Sequence, residues 1–396
     1  MRSILCLVLV SALLGISLMN IPHHYHPKYT SHDPIYIVGD DAFTESNGVV
    51  SGSGTKDDPY IINGWEICAS SHKDGIFIAN TTAYVVIEYC HIYSKEMSYV
   101  NGIKIENASN IKIINVIIEG CEYGIFLYKT YACIIDGCTI KNCSENGILV
   151  YMYNNVTAIS LTEVYNTGSD AIYITKSNGT TIYQCDIHNA SECGIYVSQS
   201  NYTYISNNKI YFNGDDGLCM DDCGGCVITG NLFYKNGHFG VCVYAIANLT
   251  KNTFYGNDFI DNMNSPQALD EIVDNWNIST GGNYWSDYTG TDSNSDGIGD
   301  TPYVLETGIG GYQNKDYMPR MERVTTFPLP QACTTTPTTT TTQTTGQETE
   351  ETEKTEGGVP TYVYGVAAIA VIAGVVVVLS KLRKFSISRL ASKFVQ

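Results

Sequence analysis

The chain has 396 residues, a formal charge of −18 and 14 cysteines, enough for one sizeable domain with appendages. The acidic balance argues against a nucleic-acid partner and against a purely electrostatic hold on anionic lipid. No arginine stands between Arg2 and Arg320, which argues against chemistry that needs a guanidinium along most of the chain.

An apolar run over residues 4–19 follows the single basic Arg2. This is the pattern of a signal peptide, predicted over 1–22; an uncleaved anchor is the alternative, because no small-x-small cleavage site follows. A flexible N-terminus, 23–33, carries His23, His24, His26 and His32. Imidazoles suit copper or zinc, but no cysteine or methionine accompanies them, and a polar tail is the simpler reading. Residues 34–71 read as an N-terminal cap and first coil, with Trp65 and Ile67 covering strand edges that would otherwise be open.

The segment 72–262 is a repeat. A small residue followed by apolar residues at offsets 1 and 3 recurs at Gly75, Gly102, Gly124, Gly147, Ala171, Gly194, Gly217 and Gly240, at spacings of 27, 22, 23, 24, 23, 23 and 23. Further apolar positions recur near offset 11 (Ile113, Ile135, Ile182, Ile205, Ile228) and near offset 16 (Ile118, Ile140, Ile187, Ile210, Phe233). Period-2 apolar pairs separated by Asn, Gly, Ser and Thr are strands. Three short strands per repeat make one coil of a parallel solenoid, and eight coils stacked at the interstrand spacing span roughly 40 Å. The corner glycines mark positions that need positive φ or a close approach of backbone.

These repeats resemble the right-handed parallel β-helix family, in its NosD-like and pectate-lyase-like forms. The entry into the rod at Gly52, Asp57, Asp58, Pro59 and Tyr60 resembles that of extracellular NosD-like proteins. The resemblance implies an all-β, single-stranded right-handed β-helix of about eight to ten coils.

Residues at one offset share one face, so three ladders follow. The first is acidic: Asp74, Glu122, Glu145, Asp170, Glu192, Asp215, Asp216 and then His238 precede the corners. Such a row suits cations or a carboxylate pair for acid and base work, or reflects the turn preference of acidic residues. The segments around Asp215, Asp216 and His238 resemble part of the polygalacturonase pattern, which implies Asp215 and Asp216 as acid and base with His238 assisting. The family's Asn-Thr-Asp and Arg-x-Lys elements have no counterpart here, and pectate-lyase chemistry also relies on an arginine. The second ladder, Phe77, Phe126, Tyr173 and Tyr196, is an aromatic stripe suited to sugar rings or a partner protein, or to stiffening the sheet. The third is cysteine. Cys121 with Cys143, and Cys219 with Cys242, stand in adjacent coils as disulfide candidates, against a ladder of buried thiols; Cys219, Cys223 and Cys226 lack zinc-ribbon spacing.

Asn-x-Ser/Thr sequons stand at Asn80, Asn107, Asn142, Asn155, Asn178, Asn189, Asn201, Asn248 and Asn277, as expected of a glycosylated surface. In the C-terminal cap, 263–330, Asp292, Asn294, Asp296 and Asp300 alternate around Gly297 and Gly299, the way a short loop wraps calcium. The loop resembles those of dockerins and thrombospondin type 3 repeats. It lacks the twelfth-position glutamate of an EF-hand, and its calcium would be structural.

Residues 331–358 form a Thr/Glu-rich stalk, and 359–380 an apolar span followed by a basic tail, 381–396. The expectation is a single-pass membrane protein with an extracellular rod and a short cytoplasmic tail. Its first function is non-catalytic binding of environmental or cell-surface glycans or surface proteins. The alternatives are a polysaccharide hydrolase or lyase at Asp215, Asp216 and His238, and a NosD-type copper accessory protein.

Overall fold

The computed structural model describes residues 28–70, 73–95, 99–244, 249–307 and 313–331, all within a unit spanning His26–Thr334. The predicted signal peptide, His23, His24 and His26, the stalk and the membrane span lie outside these residues, as do Asn248 and Cys6. Among the described residues no helix is long and apolar enough to cross a membrane.

The described chain winds into a parallel β-solenoid of about nine coils with three faces. Two faces are 11-stranded sheets and the third is a 10-stranded sheet. One 11-stranded sheet begins at Ile35–Val38 and takes the strand that follows each corner glycine; it is called the site-bearing sheet below. Pairing is in register throughout the rod. Ile125 opposes Ile103 below and Ile148 above, and the same offsets recur from coil to coil.

The offsets 1, 3, 11 and 16 all point inward. Ile76, Ile78, Ile113, Ile118, Ile135, Ile140, Ile182, Ile187, Ile205, Ile210 and Ile228 are essentially inaccessible. β-Branched residues fit a pleated, buried ladder, so one inward column of isoleucine per face makes the core. The corner glycines do not have positive φ. A Cβ on Gly102 would lie 2.6 Å from the carbonyl oxygen of Gly124 and 2.3 Å from Ile118 Cγ2, so contact with the next coil requires glycine. Left-handed backbone falls elsewhere, for example on the residue directly after strands of the site-bearing sheet, at Lys129, Lys176, Gln199 and Asp222.

The two ends are closed differently. At the N-terminus, Val49–Ser51 runs antiparallel to Tyr60–Asn63, Phe43 stacks on Tyr60, and Trp65 Nε1 donates to Gly48 O. At the C-terminus, Phe233, Phe259, Trp285 and Tyr303 stack in sequence with centroids 5.0, 4.1 and 4.1 Å apart.

Candidate functional site

On the site-bearing sheet the outward column two residues past each corner reads Tyr36, Phe77, Lys104, Phe126, Leu149, Tyr173, Tyr196, Cys219 and Cys242. The predicted aromatic stripe is therefore one physical column. Where two rings are adjacent in the column, Tyr36 with Phe77 and Tyr173 with Tyr196, they stack on each other. Tyr173 and Tyr196 lie 4.9 Å apart with planes 7° from parallel, and the Lys104 ammonium sits between the Phe77 and Phe126 rings at 5.4 and 5.7 Å. Stacking at the interstrand spacing occupies the ring faces and leaves edges and hydroxyls outward, which stiffens the sheet and weakens the case for a flat sugar platform.

The acidic ladder is two adjacent columns. The residue immediately before the corner is Asp170, Cys193, Asp216 and Phe239 in successive coils; one residue earlier stand Ser169, Glu192, Asp215 and His238. The first column is buried and the second is exposed or half-exposed. Three predicted residues converge: ligand atoms of Asp215, Asp216 and His238 lie within 4.8 Å of one another. His238 Nδ1 is 3.1 Å from Asp216 Oδ1 and 3.5 Å from Asp215 Oδ1, and Asp216 Oδ1 also accepts the Phe239 N–H at 2.9 Å.

Burial, followed by the charge of Asp215, pushes the Asp216 carboxyl up to about 6 against the opposing pull of the Phe239 N–H and His238. Two coils earlier, burial raises Asp170 to about 7, with the Cys193 N–H pulling the other way and the Glu192 and Asp215 charges adding to the rise. Asp170 stood in the predicted row but not among the candidate acids; its burial was the missing signal.

A second set was not anticipated. The Cys193 and Cys219 thiols and an Asp216 carboxylate oxygen lie within 4.8 Å of one another, and all three residues are buried. Cys242 lies directly over Cys219 in the register. Cys223 and Cys226 do not join them. Their thiols reach carbonyls of the preceding coil, Val197 O at 3.2 Å and Ser200 O at 3.7 Å. All twelve described cysteines are free thiols; Cys121 and Cys143 are buried one coil apart.

In the cap loop, Asp292 accepts the Asp296 and Gly297 N–H groups, Asn294 Oδ1 the Asp296 N–H, and Asp300 the Ser293 N–H and hydroxyl. Those Ser293 bonds hold the Asp300 carboxyl below its ordinary range. The donor set is entirely hard oxygen, of the kind calcium takes. His32 packs its ring against Trp65 at 4.7 Å. The sequon asparagines Asn80, Asn107, Asn142, Asn155, Asn178 and Asn189 are exposed, and Asn201 and Asn277 partly so.

Comparison with known proteins fits this geometry. A family profile described as right handed beta helix region matches residues 47–160 and 123–271. A probable ABC transporter binding protein NosD of Stutzerimonas stutzeri is 36% identical over 61 residues, 15% of this chain and 14% of that relative's length. The full-length tailspike protein 2 of an Escherichia coli bacteriophage superposes with a TM-score of 0.50 at 13% identity, over 72% of this chain and 41% of the tailspike. An alginate lyase from a Paenibacillus species covers 64% of this chain and 89% of its own at a TM-score of 0.44 and 13% identity. With the profile matching more than half of its length, the chain belongs to the right-handed β-helix family.

Proposed function

We propose that the rod is the outer part of a membrane-tethered surface protein and that its site-bearing sheet binds carbohydrate without cleaving it. The observation that carries this is the exposed to half-exposed row Glu192, Asp215 and His238, one residue per coil, at the corners that lead into the site-bearing sheet. A linear chain of sugars laid along the rod meets hydrogen-bonding groups at each coil, about every 4.8 Å. Recognition then comes from carboxylates, imidazole and phenol hydroxyls. Asp216 itself is buried, with its carboxylate hydrogen-bonded to His238 and to the Phe239 N–H.

The test is a glycan array together with a screen for newly formed reducing or unsaturated ends, both on the full-length chain. Binding without products, weakened by Asp215→Ala, supports the reading. Release of products that Asp216→Asn abolishes would replace it with a second reading, which the raised Asp216 carboxyl beside exposed Asp215 favours: Asp216 donates a proton to the leaving oxygen while Asp215 acts as the ionised partner.

The same proposal includes structural calcium at Asp292, Asn294, Asp296 and Asp300, pinning the C-terminal cap. Calcium should then raise the unfolding temperature, chelator should lower it, and Asp296→Ala should remove the difference. It also includes the sequon glycans, the stalk at 331–358 and the membrane span at 359–380, which together set the rod off a cell surface. Mass spectrometry of the native protein checks the glycans and membrane fractionation the anchor.

A further inference from the structure

Five of the twelve described cysteines have an ordinary explanation in the corner columns. Cys90, Cys138 and Cys185 share a corner column with Val116, Thr162 and Asn208, and Cys133 and Cys226 share one with Thr157, Thr180 and Thr203. There a thiol is one more small buried side chain, donating weakly to a carbonyl, as Cys138 Sγ does to Ile113 O at 3.5 Å.

Cys193, Cys219 and Cys242 do not fit that account. Cys219 and Cys242 occupy the outward column, where the preceding coils carry Tyr173 and Tyr196. Cys193 replaces the carboxylate that its column carries at Asp170 and Asp216. Each change brings sulfur to one spot on the outside of the rod, and that spot is closed from solvent.

We propose that Cys193, Cys219 and Asp216 bind a thiophilic d10 metal ion, with zinc(II) as the defining probe. A triangle with no side above 4.8 Å has its centre within about 2.8 Å of every corner, and Zn–S and Zn–O bonds of about 2.3 and 2.0–2.2 Å are a small contraction from there. Two thiolates and a carboxylate outweigh the dication by one negative charge and leave a fourth position. Cys242, stacked on Cys219, is the nearest sulfur to take it. On binding, each thiol gives its proton to solvent. His238 Nδ1, 3.1 Å from Asp216 Oδ1, orients the ligating carboxylate from outside, the role that a hydrogen-bonded partner plays around metal sites. The site shares Asp216 with the glycan reading and stands without it, since its argument uses no sugar contact.

The experiment takes the reduced full-length chain, strips metal with chelator and titrates zinc(II) against a chromophoric competitor while counting reactive thiols. One equivalent should bind and protect two thiols from alkylation, or three if Cys242 closes the tetrahedron. Cobalt(II) in its place should show sulfur-to-metal charge transfer and the intense visible bands of a tetrahedral ion. Cys193→Ser or Cys219→Ser should weaken zinc by about 100-fold or more, and His238→Ala by about 10-fold. Asp41→Ala, exposed at the N-terminal end of the rod, should change nothing. The thiol count on the unmutated chain needs no variant to fold. Absence of zinc-dependent protection, affinity unmoved by both cysteine variants, or a Cys193–Cys219 or Cys219–Cys242 disulfide that persists in the native protein would each overturn the site.

Discussion

The two halves of the rod share one backbone and hold it by different chemistry. The corner column between the 10-stranded sheet and the 11-stranded sheet that does not bear the site reads Cys90, Val116, Cys138, Thr162 and Cys185, then Asn208, Asn231, Asn257 and Asn283. Up to Cys185 the corners are small and nearly apolar. From Asn208 on, each amide joins coils: Asn231 Oδ1 accepts Asn208 N and Nδ2 at 3.0 and 2.9 Å, and Asn231 Nδ2 donates to Ile205 O at 2.9 Å. Every rung hands its donors to the next oxygen, so the last acceptor needs no donor of its own. It is Asp316, fully buried, which takes Asn283 N and Trp285 Nε1. A parallel column runs Asn213, Asn236, Asn262 and ends on Gln267. The lesson is that a solenoid core of isoleucine suffices between coils, while the end that must terminate uses directed bonds to fix its last turns.

The largest test of this comparison removes one rung. Asn231→Leu leaves Asn208 N without its acceptor and takes one bond each from Asn208 Nδ2 and Ile205 O, while Asn257 Oδ1 keeps the backbone N–H of residue 231; each buried unpaired group costs about 1–3 kcal/mol, so the loss should reach ~4 kcal/mol. Cys138→Ala in the same column should cost only ~1 kcal/mol, because a small buried thiol is lost and no strong hydrogen bond goes with it. Equal losses in denaturant titration would show that the two halves are held alike.

The aromatic end sharpens the same contrast. Phe259→Ala opens a cavity between Phe233 and Trp285 and should cost ~3–5 kcal/mol, whereas Ile118→Val in the earlier coils should cost ~1 kcal/mol. A Phe259→Ala loss as small as that of Ile118→Val would mean that the stack merely fills space.

The isoleucine columns were legible in the sequence because inward residues alternate strictly and the period barely varies. The meeting of Asp215, Asp216 and His238 was legible for the same reason, since equivalent offsets stack. The Asn columns were not. Asparagine at a strand end reads as a turn residue, and only the corner geometry shows that its amide points inward. Cys193 and Cys219 stayed hidden because they occupy different offsets, before and after the corner, so a search within one column never pairs them. The stripe was found but its ring orientation was not, because offset tells which face a side chain is on and says nothing of its χ angles.

The terminal caps also titrate. Burial, then Asp274, pushes Asp270 up to about 7, and burial pushes Asp274 up to about 6. A folded value above the unfolded one, near 4, means that the native state holds more protons. Stability contributed by these groups is therefore greatest below about pH 4 and declines as pH rises towards 7. The denaturation midpoint should be higher at pH 5 than at pH 7.5, and Asp270→Asn should flatten that difference. An unchanged pH dependence in Asp270→Asn would show that the buried carboxylates of the cap are not what titrates.

The smallest effect belongs to the strap at 320–331. Asp258, at 0% exposure, accepts Arg323 Nε at 3.0 Å, Val324 N at 2.7 Å, and Thr325 N and Oγ1 at 3.2 and 2.6 Å, while Arg323 is itself 30% exposed. These bonds tie the last described residues to a coil far earlier in the chain. Solvent screens the arginine, so Asp258→Asn should cost only ~1–2 kcal/mol globally, less than a fully buried ion pair would. Locally it should do more, since an amide cannot accept all four donors. Limited proteolysis within 321–331 should accelerate while cleavage within 100–200 stays unchanged. Matching acceleration in both regions would mean that the strap is part of the cooperative core, and that the two halves of the rod open together.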